Sequence, residues 1–165
     1  MPPTVPVIAY IALGTNLGDR HAHLDAAYAA LSALPGTRLL ARSSRYETAP
    51  LGPAGQQDYL NAAAELETTL SPRALLDACL TVEQTRGRIR AERWGPRTLD
   101  LDLLLHGNTT SQDPHLTLPH PAMLNRAFVL APLCDLVPEL PLAGRTLAQH
   151  LALLNQSGVR RLPAA

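Results

Sequence analysis

Residues 98–106 read TLDLDLLLH and are followed by the turn residues Gly107 and Asn108. The leucines of this stretch, punctuated with period two, are typical of a β-strand. Side chains alternate across a strand, so Asp100 and Asp102 lie on one face with Cα atoms roughly 6–7 Å apart. The leucines at 99, 101 and 103 point the other way, into a core. Because an unpaired carboxylate in such a strand costs several kcal/mol, we expect a cation to hold the pair, and carboxylate oxygens favour Mg²⁺.

An arginine-rich segment lies immediately upstream of this strand. Residues 86–97 read RGRIRAERWGPR and contain five of the fourteen arginines and the only tryptophan. Gly95 and Pro96 make the segment too irregular for a helix or a central strand. Guanidinium groups bind phosphate in a bidentate way, so a cationic loop beside an acidic pair indicates a polyphosphate substrate. The alternative is that both segments are ordinary solvated surface.

The composition is that of one globular domain, residues 1–165, with 46% apolar residues. The net charge is zero, so no general field attracts nucleic acid or a membrane surface. All fourteen basic residues are arginine, which excludes a P-loop lysine and a Schiff-base lysine. Cys79 and Cys134 lack metal-binding spacing and are expected to be core residues. The apolar run at 7–13 is too short for a signal peptide or a membrane span, which indicates the cytoplasm.

The order of the predicted elements is strand, helix, strand, strand, helix, strand. These are a strand at 7–13, a helix capped by Asp19, an extended segment at 37–48, a strand at 58–68, a helix begun by Ser71 and Pro72, and the strand at 98–106. There follow a polar turn at 108–114, a helix through 123–133, a connector at 138–144, and a short helix at 146–154 capped by Thr146. This order is that of a ferredoxin-like split βαβ. We therefore expect an α+β fold, with an antiparallel or mixed sheet flanked by helices and with C-terminal additions.

Two further patterns suggest ligand contacts. Tyr59 and Asn61 are spaced i, i+2 on a strand, so they share a face and suit stacking on and hydrogen bonding to a flat heterocycle; the alternative is ordinary strand surface. Leu76, Leu80 and Glu83 are spaced i, i+4, i+7 on the second helix, which places Glu83 near an apolar stripe. A carboxylate there needs a donor, either an arginine or a ligand.

The motif RWGPRTLDLD at 93–102 closely resembles the signature of the 6-hydroxymethyl-7,8-dihydropterin pyrophosphokinases of folate biosynthesis. Four other segments resemble the same family in the same order, namely 10–18, 43–53, 58–62 and 118–130. The resemblance implies a ferredoxin-like αβα sandwich. It also implies an ATP-dependent enzyme that transfers pyrophosphate to the hydroxymethyl group of the pterin and releases AMP.

The resemblance also assigns residues to roles by position. It makes Asp100 and Asp102 the ligands of two Mg²⁺ ions and includes them, with Arg88 and Arg97, in the catalytic set. It implies a pterin site composed of Thr48, Leu51, Tyr59, Asn61, Trp94 and Phe128. It implies an ATP site composed of Glu83, Arg88, Arg90, Leu103, Thr117, His120 and Arg126. Pro121 stands where some members carry tyrosine. The expected partners are the two small substrates, with no nucleic acid and no membrane, and the expected state is a monomer.

Three alternatives belong to other functional classes. A relative that has lost catalysis would still bind pterin or nucleotide. A ferredoxin-like RNA-binding module would use the arginine segment, but such modules stack bases on clustered aromatic residues, and this chain has six aromatic residues without such a cluster. A zinc protein would draw its ligands from five of the six histidines, namely His21, His23, His106, His115 and His120.

Overall fold

The central sheet is built from strands that are far apart in sequence. The computed structural model describes residues 5–49, 55–86 and 98–163. The sheet strands are β1 (Val7–Thr15), β2 (Thr37–Arg42), β3 (Tyr46–Thr48), β4 (Tyr59–Thr68), β5 (Asp100–His106) and β10 (Val159–Arg161). The helices of the described residues are α1 (Arg20–Ser32), α2 (Pro72–Thr85), α3 (Ala127–Leu136) and α4 (Leu147–Ala152). Two small hairpins pair β6 (Ser111–Asp113) with β7 (Leu116–Leu118) and β8 (Pro141–Leu142) with β9 (Arg145–Thr146).

All the strand pairs in the described sheet are antiparallel. Their order is β10-β3-β4-β1-β5, and β2 also pairs with β4. Strand β4 is long enough to pair with β3 along its first residues and with β2 along its last. The order β2-β4-β1-β5 is that of a ferredoxin-like split βαβ. The predicted α+β class with an antiparallel sheet is therefore confirmed.

The predicted extended segment 37–48 forms two strands, because it is interrupted at residues 43–45. Ser43 maintains the connection to β4 at the break. Its N–H donates to the carbonyl of Ala63 at 3.0 Å, and its Oγ accepts from the N–H of Ala63 at 2.8 Å. A side-chain hydroxyl thus replaces a backbone acceptor in the ladder, which allows the chain to bend between β2 and β3 without leaving the edge of β4.

Helices cover the sheet on both faces, as expected for an αβα sandwich. The first core lies between the sheet and helices α1 and α2, and its fully buried members include Ile11, Leu24, Leu31, Leu66 and Leu75. The second core lies under α3 and α4 and includes Tyr10, Ala12, Leu104, Leu130 and Leu147. Leu101 and Leu103 belong to the first core, as predicted. By strand alternation, Asp100 and Asp102 project from the opposite face, the one that α3 packs against.

The predicted helix caps are present. Asp19 accepts from Ala22 N–H at 3.0 Å, Ser71 accepts from Ala74 N–H at 3.1 Å, and Thr146 forms a capping box with Gln149. Helix α3 begins at Ala127, so the predicted start at residue 123 is four residues too early. None of the described helices is long and apolar enough to cross a lipid bilayer.

The predicted apolar stripe of α2 is wrong. Leu80 is 39% exposed, and the buried face of the helix carries Leu75, Cys79, Val82 and Glu83 instead. The predicted set and the buried set both fit a helical period. The structure buries the set that contains Cys79 in place of the larger Leu80. The prediction that Glu83 lies beside apolar residues is nevertheless confirmed.

Several short strands fall where the sequence predicts turns. Strand β6 lies inside the predicted polar turn 108–114, and β8 lies inside the predicted connector 138–144. Strand β10 has no counterpart among the predicted elements. Strands of two or three residues are too short to display a period of two, and their pairing depends on partners elsewhere in the chain.

Candidate active site

The end of β1 brings the two predicted substrate sides together. Gly14 pairs with Asn61 on β4 and with Asp100 on β5. Residues directly opposite each other on antiparallel strands share a face, and adjacent strands lie about 4.8 Å apart. Asn61 and Asp100 therefore lie on the same face of the sheet, one strand apart on either side of Gly14.

Small residues form the floor between these side chains. A Cβ atom at Gly14 would lie 3.2 Å from the Oδ1 atom of Asn61, which is closer than a side chain and an amide oxygen normally approach. One pleat further along β1, Ala12 pairs with Asp102 and with Ala63. Glycine and alanine at these positions leave room above the sheet between the acids and the amide.

The acid pair has the alternation that the sequence predicts. Asp100 and Asp102 are partly exposed, whereas Leu101 between them is 3% exposed. The N–H of Leu101 donates to Oε2 of Glu83 at 2.7 Å. Glu83 is 2% exposed. A backbone amide of the acid-bearing strand is thus a donor to Glu83, whereas the sequence pointed to an arginine or a ligand.

The predicted pterin residues Thr48, Tyr59 and Asn61 lie together on β3 and β4. Thr48 pairs directly with Tyr59. The Nδ2 atom of Asn61 donates to Oγ1 of Thr48 at 3.0 Å, and both residues are buried. This bond fixes the orientation of the Asn61 amide, and its Oδ1 faces Gly14.

A cleft of about 190 Å³ adjoins the acid pair on the side of the β6–β7 hairpin. Three of the predicted ATP-site residues, Leu103, Thr117 and His120, line it together with Asp102. Pro121 lines it as well. Sequence reasoning missed its other lining residues, which are Leu76, Pro114, His115 and Leu116. The sequence contains no recognisable signal for the β6–β7 hairpin, because its strands are too short to be predicted.

His120, Arg126 and Asp100 act on one another electrostatically. The pKa of His120 is lowered first by burial and then by the charge of Arg126, while the charge of Asp100 opposes the shift. The backbone N–H of His120 donates to the carbonyl of Leu104 at 3.0 Å, which ties this segment to β5. The guanidinium of Arg126 lies over the ring of Phe128, with Cζ 5.9 Å from the ring centroid. The predicted nucleotide residue Arg126 and the predicted pterin residue Phe128 are therefore in contact.

Five of the predicted site residues lie outside the described residues. These are Leu51, Arg88, Arg90, Trp94 and Arg97. Their assignment to phosphate and pterin contacts rests on the sequence resemblance alone.

Three of the histidines considered for a zinc site have other side-chain contacts. His21 Nδ1 lies 2.7 Å from Arg45, His23 Nδ1 accepts from Arg86, and His106 Nε2 lies 2.8 Å from the carbonyl of Leu70. Within residues 5–49, 55–86 and 98–163, no group of three or more His, Cys, Asp or Glu side chains is placed to hold a metal ion.

The contact between His23 and Arg86 predicts a pH-dependent stability. The Nδ1 atom of His23 accepts from Nε and Nη2 of Arg86 at 3.1 and 2.9 Å, so it must be unprotonated. Burial first, and then the charge of Arg86, lower the pKa of His23, against opposing effects of Asp19 and the Leu17 backbone. The unfolded chain, with a pKa of about 6.5, therefore binds this proton more tightly than the folded protein. Stability from this contact is complete above that value and is lost as the pH falls through the lower folded-state pKa.

Urea unfolding between pH 5 and 8 measures this effect. We expect the free energy of unfolding to fall less steeply with acidification in His23→Gln, which cannot titrate, than in the wild type. His115→Gln, at an exposed histidine of the β6–β7 hairpin, is the control and is expected to keep the wild-type slope. Equal slopes for the wild type and His23→Gln would contradict the prediction.

The fold and this face define an α+β sandwich protein with a polar cleft beside a pair of carboxylates on its central sheet. Comparison with known proteins gives the family. The chain belongs to the 7,8-dihydro-6-hydroxymethylpterin-pyrophosphokinase (HPPK) family, whose model matches residues 10–138.

Two bacterial relatives illustrate the similarity. The 2-amino-4-hydroxy-6-hydroxymethyldihydropteridine pyrophosphokinase of Pseudomonas aeruginosa is 49% identical over 157 residues, covering 94% of this chain and 97% of that protein. The enzyme of the same name from Methylorubrum extorquens is 44% identical over 154 residues, covering 93% of this chain and 98% of that protein.

A solved structure shows the same fold. The crystal structure of a Plasmodium falciparum HPPK-DHPS triple mutant with pteroate matches 96% of this chain with a TM-score of 0.75 at 14% sequence identity. The matched part is 47% of that longer chain, so this chain spans about half of it.

Proposed function

We propose that this protein transfers the pyrophosphoryl group of ATP to the hydroxymethyl oxygen of 6-hydroxymethyl-7,8-dihydropterin and releases AMP, a step of tetrahydrofolate biosynthesis. Family membership supports the reaction. The observation that carries it is the register of Asn61, Gly14 and Asp100. This register puts the amide that we assign to the pterin and the acid pair on one face of the sheet, on either side of Gly14.

The pterin side supplies orientation. In our proposal the amide of Asn61, held by Thr48 at 3.0 Å, reads the hydrogen-bonding edge of the pterin. Tyr59 and Phe128 stack on its two faces. Leu51 and Trp94 complete the same site. A heterocycle held in this way presents its hydroxymethyl group toward the acid pair, and such placement of two reactants lowers the barrier by making the attack effectively unimolecular.

The nucleotide side has apolar walls and polar contacts. The cleft beside Asp102 offers Leu76, Leu103 and Leu116 to a flat base, and Thr117 and His120 as polar contacts. We assign the phosphates of ATP to arginine side chains, namely Arg88, Arg90, Arg97 and Arg126. Arginine suits this role because its planar group binds phosphate oxygens in pairs.

The acid pair fits Mg²⁺. Asp100 and Asp102 present carboxylate oxygens from the same face of one strand, they are partly exposed, and Gly14 and Ala12 opposite them leave space. Oxygen donors of this kind, in a site shared with phosphate, are what Mg²⁺ takes. We propose that these two residues hold two Mg²⁺ ions, which would supply neutralisation of phosphate charge.

The reaction balances without a covalent enzyme intermediate. The hydroxymethyl oxygen forms a bond to the β-phosphorus, the bond from that phosphorus to the oxygen shared with the α-phosphate breaks, and AMP leaves with that oxygen. The hydroxyl proton passes to solvent. The protein contributes alignment and positive charge, which are the main requirements of phosphoryl transfer.

We also propose that the two substrates are the partners of the protein and that it acts as a monomer in the cytoplasm, without nucleic acid or membrane. A net charge of zero gives the protein no general attraction for nucleic acid, which supports the two small substrates as its partners. Cys79 and Cys134 are free thiols, as is usual in a reducing compartment.

An assay of nucleotide products tests the function. With Mg²⁺, ATP and 6-hydroxymethyl-7,8-dihydropterin, we expect one AMP for each pterin pyrophosphate formed, and no AMP when the pterin carries a methyl group in place of the hydroxymethyl group. Release of ADP, or AMP formation that does not depend on the pterin, would contradict the proposal. Binding of both substrates without any AMP would indicate the inactive relative instead.

A further inference from the structure

The carboxylate of Glu83 is tied to the strand that carries the acid pair. Glu83 lies in the last turn of α2 and is 2% exposed. Its Oε2 atom accepts from the N–H of Leu101 at 2.7 Å. Leu101 stands between Asp100 and Asp102 in the sequence. The bond therefore holds the backbone of β5 at a point between the two acids.

Strand β5 needs an acceptor at this point because it is the last strand in the order of the described sheet. Strand β1 pairs with one edge of β5. Along the other edge, alternate N–H groups face no neighbouring strand within the described residues. A buried amide without an acceptor is costly, and a carboxylate is a stronger acceptor than a carbonyl. Glu83 thus replaces a neighbouring strand at the position where the acids project.

Glu83 approaches β5 from the side opposite to the acids. Helix α2 packs in the first core with Leu101 and Leu103, whereas Asp100 and Asp102 project from the other face. Although the family resemblance implies a nucleotide contact, Glu83 is not among the described residues that line the cleft.

The charge of Glu83 is nevertheless close to the acid pair. Cys79 lies one helical turn before Glu83 on the buried face of α2. The pKa of its thiol is raised to about 12, first by burial and then by the charges of Glu83 and Asp102. The carboxylates of Glu83 and Asp102 therefore both act electrostatically on the buried thiol of Cys79. Helix α2 places the carboxylate of Glu83 against β5 from the side of the first core.

We propose that Glu83 is a positioning residue, which holds the backbone of β5 so that Asp100 and Asp102 present their oxygens together to the cation that accompanies ATP. The inference rests on the proposed function, because the acids need this alignment only if they bind that cation.

Two variants separate positioning from charge. In Glu83→Gln an amide oxygen can still accept from Leu101, whereas in Glu83→Ala no acceptor remains. We expect Glu83→Ala to lower kcat, and to weaken Mg²⁺ binding in the presence of an unreactive ATP analogue, each by roughly tenfold, the scale of one hydrogen bond to a charged group. Glu83→Gln is expected to keep most of both. Gln84→Ala, at the exposed next residue, is the control and is expected to match the wild type.

The backbone amide of Leu101 gives a readout that is independent of activity. In nitrogen–proton NMR spectra of the full chain, we expect its signal to exchange slowly with solvent in the wild type and in Glu83→Gln. In Glu83→Ala we expect it to shift and to exchange faster. Calorimetric titration of Mg²⁺ completes the comparison.

Two results would overturn the proposal. One is a Glu83→Ala protein with an unchanged Leu101 amide and unchanged Mg²⁺ affinity but a raised KM for ATP, which would make Glu83 a nucleotide contact. The other is a Glu83→Gln protein that retains the Leu101 bond and yet loses turnover, which would make its charge decisive. If Glu83→Ala does not fold, the Glu83→Gln measurements decide alone. Failure of the proposed function is distinct, since the wild type itself would then form no AMP.

Discussion

Replacing either Asp100 or Asp102 with alanine is expected to lower turnover by at least ~100-fold, the scale of losing a major electrostatic contribution to a transition state. Both side chains project from the same face of β5 and are partly exposed, while Leu101 between them is buried. Removing one carboxylate halves the carboxylate oxygens that we propose as ligands of Mg²⁺, without opening the core. The measurement is AMP release under saturating ATP, pterin and Mg²⁺.

The same variants carry their own test of folding. Both carboxylates are partly exposed and neither substitution opens the core, so each alanine variant is expected to fold and to unfold cooperatively in the absence of ligands. Added Mg²⁺ with an ATP analogue should raise the melting temperature of the wild type more than that of either variant. Asp77→Ala, at an exposed aspartate of α2, is the matched control. Wild-type turnover in both active-site variants would remove the metal assignment.

Replacing Asn61 with alanine is expected to weaken pterin binding by roughly 10–100-fold, because a hydrogen bond between substrate and a buried amide is lost and a polar group is left behind. Asn61 is 6% exposed, and its Nδ2 atom donates to Thr48 at 3.0 Å. In our proposal ATP binds on the other side of Gly14, so its affinity is expected to change little. Fluorescence titration with pterin in the presence of an unreactive ATP analogue measures the first effect, and calorimetry with ATP analogue measures the second.

Two further variants make this prediction specific. Asn61→Asp has the same shape but exchanges a donor for an acceptor, so it should lose pterin affinity while folding normally. Asn108→Ala, at an exposed turn residue after β5, is expected to bind as the wild type does. If Asn61→Ala and Asn61→Asp both bound pterin with wild-type affinity, Asn61 would not read the heterocycle.

The elements that the sequence predicts correctly are those with a local signal. The alternation of TLDLDLLLH places Asp100, Asp102 and their intervening leucines on opposite faces, as observed. The caps at Asp19 and Ser71 mark helix starts because each bonds an amide three residues away. The apolar stripe of α2 and the single extended segment at 37–48 were predicted wrongly. In both places the structure depends on contacts with other parts of the chain, which a local pattern does not contain.

The site divides in the same way. Leu103, Thr117 and His120, which were predicted for the ATP site, line one cleft, and Thr48, Tyr59 and Asn61, which were predicted for the pterin site, share a sheet region. His115 and Leu116 join the cleft only because β6 and β7 form a hairpin beside β5. The bond from Leu101 to Glu83 spans 18 positions in sequence, and a residue pattern contains no information about which donor such a carboxylate meets.

The pairing of β10 with β3 has a consequence for biosynthesis. Val159 lies opposite Thr48, and Arg160 contacts Glu47 and Asp58. These partners are separated by about a hundred residues of intervening chain, and contacts of such large sequence separation are formed late and slow folding. On the ribosome, the strand that bears Thr48 therefore lacks its outer neighbour until residues 159–161 have emerged. The β3 edge of the sheet is therefore completed only after residues 159–161 have been translated, and a nascent chain stopped before residue 159 has this edge exposed.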